Sequence, residues 1–142
     1  MLPQALEMAS LDGTTSRRNV LIVDDDEAMA DVLSTRLSRQ GFGTLVAHSG
    51  RHALELARAE SPDCILLDLR LPDVDGFELC QQLVDSAATS DIPVIIVSGL
   101  ERPDIIRRSR AAGCHYYVRK PYDPNALLIL IRQAIEQGQQ DE

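Results

Sequence analysis

Three short runs of consecutive apolar residues constrain this chain more than anything else in it: Val20-Leu21-Ile22-Val23, Cys64-Ile65-Leu66-Leu67 and Val94-Ile95-Ile96-Val97. None alternates with polar residues, so none reads as a strand with one wet face. A short apolar run bounded by turn signals reads as a strand buried on both faces, which is how strands of a parallel sheet look. Each run also stops at a polar side chain: Asp24 with Asp25 and Asp26, then Asp68, then Ser98.

Helical patterns fill the intervals. Met29, Val32, Leu33 and Leu37 recur at helical spacing over residues 27–40, with Asp26 as cap and Gly41 as stop. Ser49 can cap a helix over 51–59, with Ala53, Leu54 and Ala57 on its inner face. Phe77, Leu79, Cys80, Leu83 and Val84 mark a helix over 76–86. Pro103 opens one over 103–112, and Gly113 stops it. Asp123-Pro124 is a cap followed by proline at the first helical position, and the last helix runs to about residue 136. Two weaker strands complete the string, residues 44–47 and Tyr116-Tyr117-Val118, the latter ending at Lys120-Pro121. The order βαβαβαβαβα implies an α/β fold, a five-stranded parallel sheet with helices on both faces.

With 142 residues, one domain is expected. Residues 1–18 read as a flexible leader, in which Leu2, Leu6 and Leu11 could form one helical turn, 19–138 as the domain and 139–142 as a tail. Arg17-Arg18 is no export signal, because the apolar run after it is short and meets three aspartates. No run approaches the roughly 20 apolar residues of a membrane span, so a cytoplasmic protein without membrane contact is expected. The net charge of −8 argues against a sequence-independent grip on nucleic acid, so no direct nucleic-acid partner is expected either. Cys64, Cys80 and Cys114 are odd in number and lack CxxC spacing, so they read as buried or half-buried free thiols. His48, His52 and His115 fall at no metal-like spacing and read as ordinary surface or turn residues.

The polar residues at the strand ends carry the chemistry. A parallel sheet gathers Asp24, Asp25, Asp68, Ser98 and Lys120 onto one rim, where open α/β sheets bind ligands. Two carboxylates about 4 Å apart repel by roughly 4 kcal/mol at an effective dielectric near 20. Either one keeps a proton or a cation sits between them. Hard oxygen ligands without Cys or His point to Mg2+. A cation, a lysine, a hydroxyl and an acidic nucleophile together suit phosphoryl transfer.

The segments Leu21-Ile22-Val23-Asp24-Asp25-Asp26, Leu66-Leu67-Asp68-Leu69-Arg70-Leu71-Pro72-Asp73-Val74-Asp75-Gly76, Ile96-Val97-Ser98-Gly99 and Tyr117-Val118-Arg119-Lys120-Pro121 resemble the receiver domain of bacterial two-component response regulators. The resemblance covers about residues 19–138. It implies the flavodoxin-like strand order 2-1-3-4-5. It implies that Asp68 accepts a phosphoryl group from a histidine kinase or a histidine phosphotransfer protein. In that reading Mg2+ is held by Asp25, Asp68 and the backbone carbonyl of Arg70, and by Asp24 through water. Lys120 pairs with the phosphoryl oxygens, Ser98 is the switch hydroxyl and Tyr117 the aromatic that follows it. In that family the Lys-Pro bond is usually cis, so Lys120-Pro121 is expected to be cis. The face made by the fourth helix, last strand and last helix then changes shape for a downstream protein. Such a domain is a signalling element, not an enzyme with a separate substrate.

Arg70 and Leu100 are unusual beside the acceptor and the switch hydroxyl, and Leu100 is expected to shield the acyl phosphate from water. The five apolar residues 127–131 exceed one helical stripe. With Tyr116 they suggest a partner or homodimer surface, or else tighter burial against the fourth helix. Two rivals remain. One is a phosphorylation-independent scaffold of the same fold. The other is a phosphatase of the haloacid-dehalogenase type with Asp24 as nucleophile, which the Asp24-Asp25-Asp26 spacing permits but which has no need of Asp68 or the Lys-Pro turn.

Overall fold

In the computed structural model the described residues are 17–140. The helical turn around Leu2, Leu6 and Leu11 and most of the leader expected over residues 1–18 lie outside them. The strands are β1 (Asn19–Val23), β2 (Gly43–Ala47), β3 (Cys64–Leu67), β4 (Val94–Ser98) and β5 (Tyr116–Arg119). The helices are α1 (Glu27–Arg39), α2 (Gly50–Glu60), α3 (Gly76–Asp85), α4 (Ile105–Ala111) and α5 (Pro124–Gln140). All strand pairs are parallel, in the order β2-β1-β3-β4-β5. Expected class and strand order are both found.

The three apolar runs occupy the centre because only there are both faces covered. Leu21, Val23, Ile65, Leu67, Val94 and Ile96 point to one core, shared with Ala53 and Ala57 of α2, Phe77, Leu79 and Leu83 of α3, and Ile105 of α4. Val20, Ile22, Cys64, Leu66, Ile95 and Val97 point to the other, shared with Ala30 and Leu37 of α1 and with α5. Successive strand residues thus feed opposite layers, as a two-residue period requires. The thiols of Cys64 and Cys80 are pushed up to about 12 by burial, so neither offers a thiolate near neutrality.

The apolar run in α5 is explained mainly by burial. Leu127, Leu128 and Ile131 are buried against the sheet and α1 rather than against α4, and Leu130 packs beside them. Ile129 alone of the five is exposed. On α1, Met29 and Val32 face outward despite their spacing, and Leu33 and Leu37 supply the inner face.

Helix ends follow local chemistry. Asp26 accepts the Met29 N–H at 3.1 Å, Ser49 the His52 N–H at 3.2 Å, and Asp75 the Phe77 N–H at 2.8 Å. Gly41 and Gly113, where the chain turns back, have φ of +95° and +93°. Two helices depart from their expected bounds. α5 continues through Gln140, so the tail boundary at residue 139 falls inside a helix. α4 begins at Ile105 rather than Pro103, and Asp104 gives it no side-chain cap, its carboxylate being taken by Arg102 at 3.2 Å.

Two predictions follow from packing. A Cβ at Gly76 would stand 2.5 Å from Leu69 Cα and 2.7 Å from its carbonyl oxygen. Backbone cannot yield as a side-chain tip can, so Gly76→Ala should lose about 1–3 kcal/mol of stability by urea denaturation. His115 accepts the Val94 N–H at Nδ1, 3.1 Å away, and partial burial holds its ring below the ordinary histidine value. The unfolded chain therefore binds the proton first, and stability present above about pH 6.5 is lost as pH falls. Thermal melts between pH 7.5 and 5.5 should show a shallower decline for His115→Asn than for the wild type.

Candidate functional site

The sheet ladder continues one residue past three strands and so places the rim. Asp24 N–H donates to the Ala47 carbonyl at 3.0 Å, Asp68 N–H to Val23 at 2.9 Å, and Lys120 N–H to Ser98 at 2.9 Å. With these backbones held, the side chains converge. One oxygen of each carboxylate is occupied locally: Asp24 Oδ1 accepts the Asp26 N–H at 3.0 Å and Asp68 Oδ1 the Arg70 N–H at 2.9 Å. The other oxygen of each faces Lys120. Its Nζ donates to Asp68 Oδ2 at 2.8 Å and to Asp24 Oδ2 at 3.3 Å. Asp24 and Asp68 are only 8% and 9% exposed.

Burial raises the Asp24 carboxyl above its ordinary value, against the opposing pull of the Asp26 N–H and Lys120. Burial by itself would depress Lys120, but its hydrogen bond to Asp68 and the charges of Asp68 and Asp24 outweigh that and hold it higher. The ammonium therefore stays charged between two carboxylates. Asp25 lies beside them and is exposed.

Three acids against one ammonium leave the rim short of positive charge. Among the described residues, no three Asp, Glu, His or Cys side chains close into a cage for a metal ion. Mg2+ does not need one, since it keeps several waters and takes one or two carboxylates. The donors present, all hard oxygens and lacking two positive charges, fit it.

The other expected residues are placed less directly. Ser98 is fully buried, and its Oγ accepts the Leu100 N–H at 3.2 Å. Tyr117 packs against the core under α2, α3 and α4, its hydroxyl enclosed without a hydrogen-bond partner. Arg70 holds Asp68 through its amide, and its side chain is exposed. Leu100 is half-buried against the same core as Tyr117. The Lys120–Pro121 peptide is cis. Larger depressions exist, one of about 520 Å3 along the outside of α1, but that one is lined by α1 residues and Gln40 and holds none of the rim groups.

Several neighbours were not legible from spacing. His48, read as an ordinary surface or turn residue, places Nδ1 2.8 Å from the Asp24 carbonyl oxygen. The signal was the register: Val23 pairs with Ala47, which puts the next residues, Asp24 and His48, side by side. Asp73 accepts the Gly50 and Arg51 N–H groups at 2.8 and 3.0 Å and so ties the turn after Asp68 to the start of α2. Arg108 of α4 lies 4.4 Å from the centre of the Phe77 ring and 4.0 Å from Asp75, on the helix that follows that turn.

Relatives and solved structures agree with this fold. The family model described as response regulator receiver domain matches residues 20–132. The DNA-binding dual master transcriptional regulator RpaA of Synechocystis sp. is 37% identical over 113 residues, covering 80% of this chain and 47% of that protein. The DNA-binding response regulator MtrA of Mycolicibacterium smegmatis is 32% identical over 127 residues, covering 89% of this chain and 54% of that one. The chain thus spans about half the length of the curated relatives it matches. A CheY-like response regulator receiver domain protein of Methanospirillum hungatei superposes with a TM-score of 0.84 at 28% identity, covering 89% of this chain and 100% of that one. The signal receiver domain of a signal transduction histidine kinase from Syntrophus aciditrophicus gives 0.79 at 28% identity, covering 84% and 91%.

These relatives correct one expectation. The absence of a nucleic-acid partner, argued from a net charge of −8, does not stand, because the matching regulators RpaA and MtrA are DNA-binding proteins. Net charge describes only the residues it is summed over, and it carries no information about the half of those relatives that this chain does not match. Among the described residues no helix is long and apolar enough to cross a membrane. Fold, strand order, the Asp24–Asp68–Lys120 rim and the match over residues 20–132 lead to one conclusion: the chain belongs to the response regulator receiver domain family of two-component signalling, a family of signalling domains rather than conventional enzymes.

Proposed function

We propose that this domain, residues 19–138, takes a phosphoryl group from a histidine kinase or histidine phosphotransfer protein onto Asp68 in a Mg2+-dependent reaction. The observation that carries the reading is Lys120 Nζ poised between Asp68 Oδ2 and Asp24 Oδ2. Asp68 Oδ2 is the oxygen not engaged by the Arg70 amide, and it attacks phosphorus while the donor histidine leaves with its bonding pair. Lys120 then neutralises the oxygens of the transferred group. Asp25, Asp68 and the Arg70 carbonyl would hold the cation directly, with Asp24 acting through water. Mg2+, when bound, supplies charge neutralisation for the phosphoryl oxygens. Transfer adds about −1.5 to −2 charges beside Lys120 and Ser98.

That charge gives Ser98 a partner stronger than the Leu100 amide. The hydroxyl turns toward it, and the space it leaves is followed by the Tyr117 ring, whose hydroxyl has no partner to hold it. The face of α4, β5 and α5 thereby changes its packing, a shift between two populations. In RpaA and MtrA the matching stretch is part of a DNA-binding regulator, and in this chain the altered face is what passes the signal on.

Intact mass after exposure to a small acyl phosphate tests the core of this. Wild type with Mg2+ should gain one phosphoryl group, and Asp68→Asn should gain none. A wild type that gains nothing with any donor would favour the scaffold reading, and an adduct that survives Asp68→Asn but vanishes with Asp24→Asn would favour a phosphatase of the haloacid-dehalogenase type. A second outcome concerns lifetime. Leu100 adds apolar cover next to Ser98, so Leu100→Glu should shorten the acyl-phosphate half-life severalfold, with its urea midpoint as the control for folding. An unchanged half-life would remove any shielding role from Leu100.

A further inference from the structure

The residues that flank the two acid-bearing loops point to a brace. The Asp24 carbonyl belongs to the peptide joining Asp24 to Asp25, so a bond to that oxygen sets the plane of the peptide and the direction in which the Asp25 side chain leaves. The oxygen can only accept, so His48 Nδ1, 2.8 Å away, carries the proton and donates it. On the other side of the same residue the Asp24 N–H is held by Ala47. Asp24 is thereby gripped at both backbone polar groups from the end of β2.

His48 itself stands on a fixed support. It follows Ala47, which is paired with Val23 in the sheet. Ser49 caps α2, and the next two amides, Gly50 and Arg51, are held by the Asp73 carboxylate. Val74 packs so closely on Gly50 that a Cβ there would stand 2.1 Å from Val74 Cγ1. One short junction therefore touches the loop of Asp24 and Asp25 on one side and the turn after Asp68 on the other.

We propose that His48 is a positioning residue for the cation end of the site, orienting the Asp24–Asp25 peptide so that the Asp25 carboxylate faces Asp68. This rests on the reading of the rim as a Mg2+-dependent phosphoacceptor. Residues that orient metal ligands without touching the metal change affinity by about tenfold or more when removed. Asparagine carries an N–H donor two bonds from Cβ, as the Nδ1 of histidine does. Leucine fills similar space with no donor, and glutamine carries its donor one bond too far.

The test is a titration of the full chain with magnesium chloride, read by amide NMR shifts of the acidic loops, alongside acyl-phosphate labelling read by intact mass. His48→Leu should need about tenfold more Mg2+ for half-saturation and should label normally once Mg2+ is saturating. His48→Asn should stay within about twofold of the wild type, well inside the range that separates an oriented ligand from a free one. If His48→Leu fails to fold, His48→Gln against His48→Asn carries the same contrast. Wild-type half-saturation in His48→Leu, or equal weakening in His48→Asn and His48→Leu, overturns the brace while leaving the phosphoacceptor intact. A wild type that neither binds Mg2+ nor labels overturns both, and that failure is visible before any variant is made.

Discussion

The ammonium of Lys120 set between two nearly buried carboxylates is the interaction on which the rest of the site depends. At an effective dielectric near 20, two unit charges at hydrogen-bond range interact by several kcal/mol, roughly 4 at 4 Å. Without Lys120, Asp24 and Asp68 would repel with little water between them. Even with it, burial leaves Asp24 raised. A carboxyl raised in the folded state favours folding below its unfolded value, and that contribution is lost as pH rises through the folded value. At neutral pH Asp24 therefore weakens the fold slightly. The arrangement makes sense as a site that gains from added positive charge and from a ligand that gives Lys120 something further to bind.

Geometry at such a rim has to come from backbone, because the acids sit on loops. The ladder holds Asp24, Asp68 and Lys120 one residue beyond their strands. Behind them a second layer of contacts links the loops: His48 to Asp24, Asp73 to the start of α2, Asp75 to the start of α3.

The fourth helix contrasts with this frame. It has only seven residues and no side-chain cap. The hydroxyl of Ser109 on its inner side is buried without a partner, as is that of Tyr117 on the adjoining strand. What ties it to α3 is Arg108, through the Phe77 ring and a 4.0 Å contact with Asp75. Short helices with unsatisfied groups belong to the low-stability end of a fold. An element of this kind repacks at lower cost than α1, which is longer and capped by Asp26.

Much of this was legible in the chain itself. Four-residue apolar runs bounded by turn signals read as doubly covered strands, and helical spacing between them reads as crossovers, so class and parallel pairing followed, while the strand order came from the family resemblance. The acids, serine and lysine at the strand ends followed too, because a parallel sheet aligns all its carboxyl ends. The α5 run was ambiguous, since five apolar residues can face a partner or a core, and only the packed sheet showed four of them turned inward. The spacing on α1 overstated its buried face, because Met29 and Val32 share the helical period of Leu33 and Leu37 but are left exposed. His48 had no local signal at all. Periodicity reports which way a residue faces within its own element, whereas a contact such as His48 with Asp24 is made by the register between two strands. The sequence by itself determined the elements, their order and the chemical types at the rim. The tertiary structure decided which oxygen faces Lys120, what braces the acidic loop and which helix is loosely held, because those depend on distances between segments far apart in the chain.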